Sequence, residues 1–256
     1  MELGHGMTAA AVVLNIGKLV EKAGRTLPQE RVAFLGLGSI GLTTLRLLLQ
    51  VSPHPQTLML CDLFNKYDDL QAIRDEIVRD LDFQGDITII PVQGELPPTI
   101  YGASLFVGAT NVSDVLDVAQ LNPGSLIVDD SGPHCFNPQQ AKERFLRHAD
   151  ILFTGGGAVC LPKPIRQLWH VPQGLESAFS ESEVLDPYLI MGCVLSSLLS
   201  AEMIALPHTL GTVGTEVCLA YYRTLEELGI KAAPLHCEDY VLPADAILAF
   251  RQRTGV

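Results

Sequence analysis

The 256-residue sequence is poor in basic side chains: 17 Lys and Arg stand against 29 Asp and Glu, for a formal net charge of -12. A nucleic-acid binder needs a cationic face to neutralise phosphates, so that class of partner is excluded. Paired cysteines are lacking as well. Cys61, Cys135, Cys160, Cys193, Cys218 and Cys237 include no CxxC pair and no ligand spacing, which excludes a zinc ribbon or a disulfide framework and leaves reduced thiols. No metal site is expected. The opening residues, MELGHGMTAAAVVLNIGKLV, lack the basic start, unbroken apolar stretch and cleavage site of a secretory leader, so the expected location is cytoplasmic. The apolar stretch from Leu189 to Leu206 is interrupted by serines and Glu202, and reads as a buried core helix rather than an integral membrane segment. No internal repeat, heptad run or low-complexity tract is present.

What the chain does have is apolar side chains, 48% of the total, enough for a sizeable core. From Arg31 onward they fall in alternating strand and helix patterns. RVAFLG, TLMLCD, DITIIPV, SLFVGAT, SLIVDD and ILFTGG are short apolar runs of the kind that form buried parallel strands. Between them, IGLTTLRLLLQ reads as a helix, and so does DDLQAIRDEIVRDL, where Leu70, Ile73, Ile77 and Leu81 share one face. Thr8–Glu21 predicts a helix ahead of the first strand, and Tyr188–Leu206 and Val213–Leu228 predict two more behind the last, separated by Pro207 and Gly211. The expected fold is α/β: a doubly wound, parallel, six-stranded sheet with additional C-terminal helices. Residues 1–187 form the sheet domain with its leading helix, and 188–256 a helical segment packed on it.

Gly36-Leu37-Gly38-Ser39-Ile40-Gly41 is a GxGxxG that follows a predicted strand and opens a predicted helix, the setting in which this pattern has a mechanism. Gly36 permits the tight turn, Gly38 lets a pyrophosphate reach the backbone, and Gly41 lets helix and strand pack closely. Ser39 and Ile40 then present helix N-terminal N–H groups to the phosphates. Asp62 ends the second strand, where a carboxylate accepts hydrogen bonds from a ribose and repels a 2′-phosphate. The sheet is therefore a Rossmann sheet for a nicotinamide dinucleotide, with NAD(H) favoured over NADP(H); Lys66 lies close enough to blur that preference.

The loops after strands four to six carry any chemistry. Ala109, Thr110 and Asn111 follow the fourth strand and should flank the cofactor. After the fifth, Asp129 and Asp130 either orient a base such as His134 or cap the following loop. After the sixth, Gly155 and Gly156 in Gly155-Gly156-Gly157 suit close approach of a flat ring, and Cys160 follows. Cys160 reads either as a nucleophile, with Lys163 and Arg166 favouring its thiolate, or as a small buried hydrophobe. His170 and His208 have no arrangement that sets them apart.

The blocks GMTAAAVVLNIGKLVEKAG, VAFLGLGSIG, VDDSGPHCF and TGGGAVC, with the apolar helix containing Cys193, resemble the long-chain fatty acyl-carrier-protein reductases of cyanobacteria. That resemblance implies reduction of an acyl thioester, carried by acyl carrier protein or coenzyme A, to an aldehyde through an acyl-cysteine at Cys160. It departs in two respects: the family carries a long amino-terminal acyl-binding region, about whose end this chain begins, and it uses NADPH where Asp62 favours NADH. The helix ahead of the first strand and GATN also look like the cofactor domains of shikimate dehydrogenase and glutamyl-tRNA reductase. These imply alcohol oxidation on a shikimate-like acid. A domain that binds dinucleotide without chemistry of its own, serving a larger multi-domain assembly or sensing the nucleotide, is the third expectation; assembly into a homo-oligomer is a separate one.

Overall fold

The computed structural model describes residues 4–166, 173, 186–203, 206 and 213–255. Its centre is a parallel sheet of six strands: β1 (Arg31–Leu35), β2 (Thr57–Leu63), β3 (Asp86–Val92), β4 (Leu105–Gly108), β5 (Ser125–Asp129) and β6 (Ile151–Gly155), in the order β3-β2-β1-β4-β5-β6. The chain reverses its direction of travel across the sheet between β1 and β4, which pair with Leu35 opposite Gly108. That reversal opens a crevice at the carboxyl ends of the strands. The central strands are apolar throughout because both faces are covered: Val32 to Leu35, Leu105 to Val107 and Leu126 to Val128 are all buried.

Three helices connect strands of this sheet. α2 (Ser39–Val51) follows β1, α3 (Tyr67–Asp80) follows β2, and α4 (Pro138–His148) follows β5. α3 buries Leu70, Ile73 and Ile77 at helical spacing, as the sequence predicts, while Leu81 caps its end half-buried. α4 has only Ala141 and Phe145 buried, and its start is set by Asn137, whose side chain accepts a hydrogen bond from Gln140 N at 3.0 Å.

The leading helix α1 (His5–Lys22) is longer than predicted at both ends, and twelve of its eighteen residues are buried. It lies between the β5–β6 part of the sheet with α2 on one side and, on the other, α5 (Gly192–Glu202) and α6 (Thr215–Glu227). Asn15 fixes it there. Its Nδ2 lies 2.8–2.9 Å from the carbonyls of Ala11, Gly156 and Ala158, so the buried amide ties α1 to the turn after β6. Removing one partner from such a buried contact costs about 1–3 kcal/mol.

The stretch predicted as one helix from Tyr188 begins instead as a strand. After β6 come β7 (Ala158–Cys160), β8 (Leu189–Met191) and β9 (Lys231–Ala232), a small antiparallel sheet with β7 in the middle. Pairing with β7 holds Leu189–Met191 extended, and the helix starts only at Gly192, whose N–H donates to Gly157 O at 2.8 Å. This sheet draws its strands from both sides of residue 187. Strands β10 (His236–Cys237) and β11 (Tyr240–Val241) and a last helix, α7 (Ala244–Thr254), complete the chain. Among the described residues no helix is long and apolar enough to cross a membrane. Pro207, Gly211, His170 and His208 lie outside the described residues.

Candidate active site

β1 ends in a turn whose three glycines are used in three different ways. Gly36 has φ +92°, a conformation that favours glycine, and a Cβ there would lie 2.5 Å from Ala109 O, so the turns after β1 and β4 approach one another backbone to backbone. A Cβ on Gly41 would run into Gly36 O and come within 3.2 Å of the Ala109 side chain, which seats α2 against the strand. Gly38 has nothing within 4 Å of its Cβ position. It faces a cavity of about 610 Å³, lined in part by Gly36, Gly38, Ser39 and Ile40.

The cavity spans the carboxyl ends of five strands. Asp62 and Lys66 stand at one end, where Asp62 Oδ2 accepts from Leu37 N at 2.9 Å, Oδ1 accepts from Leu63 N at 2.7 Å, and Lys66 Nζ is 3.0 Å from both oxygens. Val92, which ends β3, and Leu96 beyond it add an apolar wall. Beneath it Cys61 stays a thiol, because burial and then the Asp62 charge push its pKa up to about 12. Ala109, Thr110 and Asn111 line the cavity after β4, and Asp130 and Gly132 close the far end after β5. Thr110 N donates to Ser131 Oγ at 3.0 Å, which ties these two loops together.

Sequence reasoning missed His5. It is the first residue of α1, lines the cavity and is hydrogen-bonded through Nδ1 to Ser39 Oγ at 2.8 Å. No sequence signal marks it, since the contact depends on where α1 docks.

Buried Asp129 and half-buried His134 form a pair outside the cavity lining. Asp129 Oδ2 accepts from His134 Nδ1 at 2.7 Å and from Cys135 N at 3.2 Å, and Oδ1 accepts from Ser131 N at 3.1 Å. Burial pushes the Asp129 carboxyl up, but the hydrogen bonds from His134, Ser131 and Cys135 outweigh it and hold the group below the ordinary aspartate range. His134 rises to about 10, through the Asp129 hydrogen bond first and then the contact with Cys237, whose Sγ is 4.0 Å from Nε2. Asp130 goes the other way. Burial, then the neighbouring Asp129 charge, push it up to about 7.

Of the residues expected from the sequence, Gly36, Gly38, Ser39, Ile40, Asp62, Ala109, Thr110 and Asn111 line one cavity, and Gly41 packs the turn that forms it. Gly155, Gly156, His134 and Cys160 are not part of its lining. The glycine run serves packing within the protein: a Cβ on Gly155 would meet the His236 ring at 3.3 Å, on Gly156 Val12 and Asp130, and on Gly157 the Asp130 carboxyl at 2.5 Å. Cys160 is half-buried in β7, in register with Leu189 on one side and Lys231 on the other. Its thiol contacts its own loop at Leu161 O, 3.9 Å away.

No protein-family model matches the sequence, and a search of curated proteins finds no match. Among solved structures the chain is similar to L-tryptophan dehydrogenase from Nostoc punctiforme (18% identity over 97% of this chain and 58% of that one, TM-score 0.44). It is also similar to quinate dehydrogenase from Corynebacterium glutamicum in complex with NAD (20%, 48% and 42%, TM-score 0.37). A third is the Thermococcus litoralis Δ1-pyrroline-2-carboxylate reductase with NADH and L-proline (13%, 49% and 36%, TM-score 0.38). The chain spans 36–58% of the length of these three proteins. The likeness concerns the fold alone.

Proposed function

We propose that the chain binds a nicotinamide dinucleotide in this cavity and serves as an oxidoreductase for a small alcohol or carbonyl substrate. One observation carries the reading: Gly36 and Gly41 are packed against protein while Gly38, between them, opens on the cavity at the N-terminus of α2. A diphosphate there meets free helix N–H groups and no side chain. Ser39, held by His5, adds a hydroxyl beside the same position.

Asp62 would hold the adenosine ribose, and its charge favours NAD(H) over NADP(H). NADP(H) needs Lys66 to turn from Asp62 toward the 2′-phosphate. Val92 and Leu96 offer apolar surface to the adenine. Ala109, Thr110 and Asn111 would then border the nicotinamide. Such a cofactor supplies or accepts a hydride at that end of the cavity. The protein's part is to orient the substrate beside Asn111 and Asp130 and to provide for the proton.

The shikimate-dehydrogenase-like route, with no covalent step, suits this arrangement. A thioester route through Cys160 requires the thiol in the cavity, and Cys160 lies in β7, outside its lining. Titration with NADH and NADPH followed by nanosecond-to-steady-state fluorescence of the reduced ring tests binding. Saturable NADH binding at least about tenfold tighter than NADPH, near 1.4 kcal/mol, is expected. Assay against polar alcohols, their ketones and acyl thioesters then separates the chemistries, and binding without turnover on any of them would point to a non-catalytic domain.

A further inference from the structure

The cavity has few side chains able to carry a proton. Among the described residues of its lining, Asp62 and Lys66 neutralise one another at the adenosine end, Cys61 is a buried thiol beneath the ribose position, and His5 is engaged by Ser39. Asp130 is what is left at the far end. Its backbone N–H continues the sheet by donating to Gly108 O at 2.9 Å, which fixes the residue one step past the end of β5. Its carboxyl rests against Gly157 and close to the Met191 methyl, and no side-chain hydrogen bond to it is found among the described residues.

We propose that Asp130 exchanges the substrate's proton at the nicotinamide end of the cavity, and that its charge makes the oxidised, cationic cofactor bind better than the reduced one. The inference rests on the cofactor reading above. When an alcohol is oxidised, its C–H bond breaks and both electrons leave with the hydride to the oxidised nicotinamide. Its O–H electron pair becomes the second bond of the carbonyl, and the proton goes to the Asp130 carboxylate. Reduction returns the same proton. Asp130 suits this because burial and the Asp129 charge set its titration near neutrality, where both forms are populated. Among the described residues the groups near it are Asp129 alongside, itself paired with His134; His5 in the same cavity lining; and Val12, Gly156, Gly157 and Met191, which do not titrate.

The test reads binding, not turnover. Dissociation constants for NAD⁺ and NADH are measured by calorimetry from pH 5.5 to 8.5 on the full chain. The preference for NAD⁺ over NADH should rise about tenfold as Asp130 ionises, with a midpoint near 7. In Asp130→Asn the ratio should be flat across that range whatever the affinity for either nucleotide, and His5→Gln should keep the step whatever its affinity. Should Asp130→Asn not fold, Asp130→Ser and the parent curve decide. A flat ratio in the parent, or a step that survives in the Asp130 variants, overturns the proposal and leaves the cofactor reading standing. Failure to bind either nucleotide at any pH overturns both.

Discussion

Lys66 Nζ sits 3.0 Å from each oxygen of Asp62, so the carboxylate at this end of the cavity is paired with a lysine four residues along. On the proposed function, cofactor preference is a property of the pair. Asp62→Ser frees the ammonium group as well as removing the repulsion, and is expected to tighten NADPH binding about tenfold, some 1.4 kcal/mol, and to weaken NADH. Lys66→Ala should do the opposite and sharpen the preference for NADH. Fluorescence titration of both variants with both nucleotides checks this.

The glycines of the turn should respond in contrasting ways. Gly38 has φ -71°, ordinary for any residue, and open space at its Cβ, so Gly38→Val should unfold at nearly the parent temperature yet lose nucleotide binding. Gly41→Ala places its methyl against Gly36 O and should cost about 1–3 kcal/mol of stability in a urea titration.

The Asp129–His134 pair predicts a pH dependence of stability. His134 is held about 10 when folded, above its ordinary 6.5, so its contribution is fully present below about 6.5 and is lost as the pH rises through about 10. The melting-temperature gap between the parent and His134→Gln should be widest near pH 6 and narrow steadily toward pH 10. A constant gap would mean that the pair binds no extra proton on folding.

Cys160→Ser should leave NADH affinity within about twofold, since the thiol lies outside the cavity lining. Incubation of the parent chain with an acyl thioester should add no acyl mass at Cys160. An adduct seen by intact-protein mass spectrometry would restore the covalent route.

The six sheet strands and the glycine turn after β1 were legible because each is a local pattern: short apolar runs buried on both faces, and glycines at fixed offsets after a strand. Where structure depends on distant neighbours, the sequence was silent or misleading. Leu189–Met191 continues the hydropathy of α5 without a break, and only pairing with β7 makes it a strand. α4 and α7 went unnoticed because so few of their residues are buried, Ala141 and Phe145 in one and Phe250 in the other. Gly155 and Gly156 suggested a cofactor ring because glycine runs permit close approach. What approaches them is His236 from far along the chain and Val12 from α1. His5 reaches Ser39 in the turn after β1 for the same reason that Asn15 reaches Gly156: both ride on where α1 docks.

That docking sets an order for synthesis. α1 is made before α5 and α6, yet part of its surface packs against them, and they leave the ribosome more than 160 residues later. Until residue 227 is made, the positions of α1 near Gly6 and Ala11 lack their Tyr221 and Gly192 neighbours, and α1 has the sheet and α2 to pack on. A nascent chain in this interval carries α1 with one face uncovered, a state in which exposed apolar surface favours aggregation.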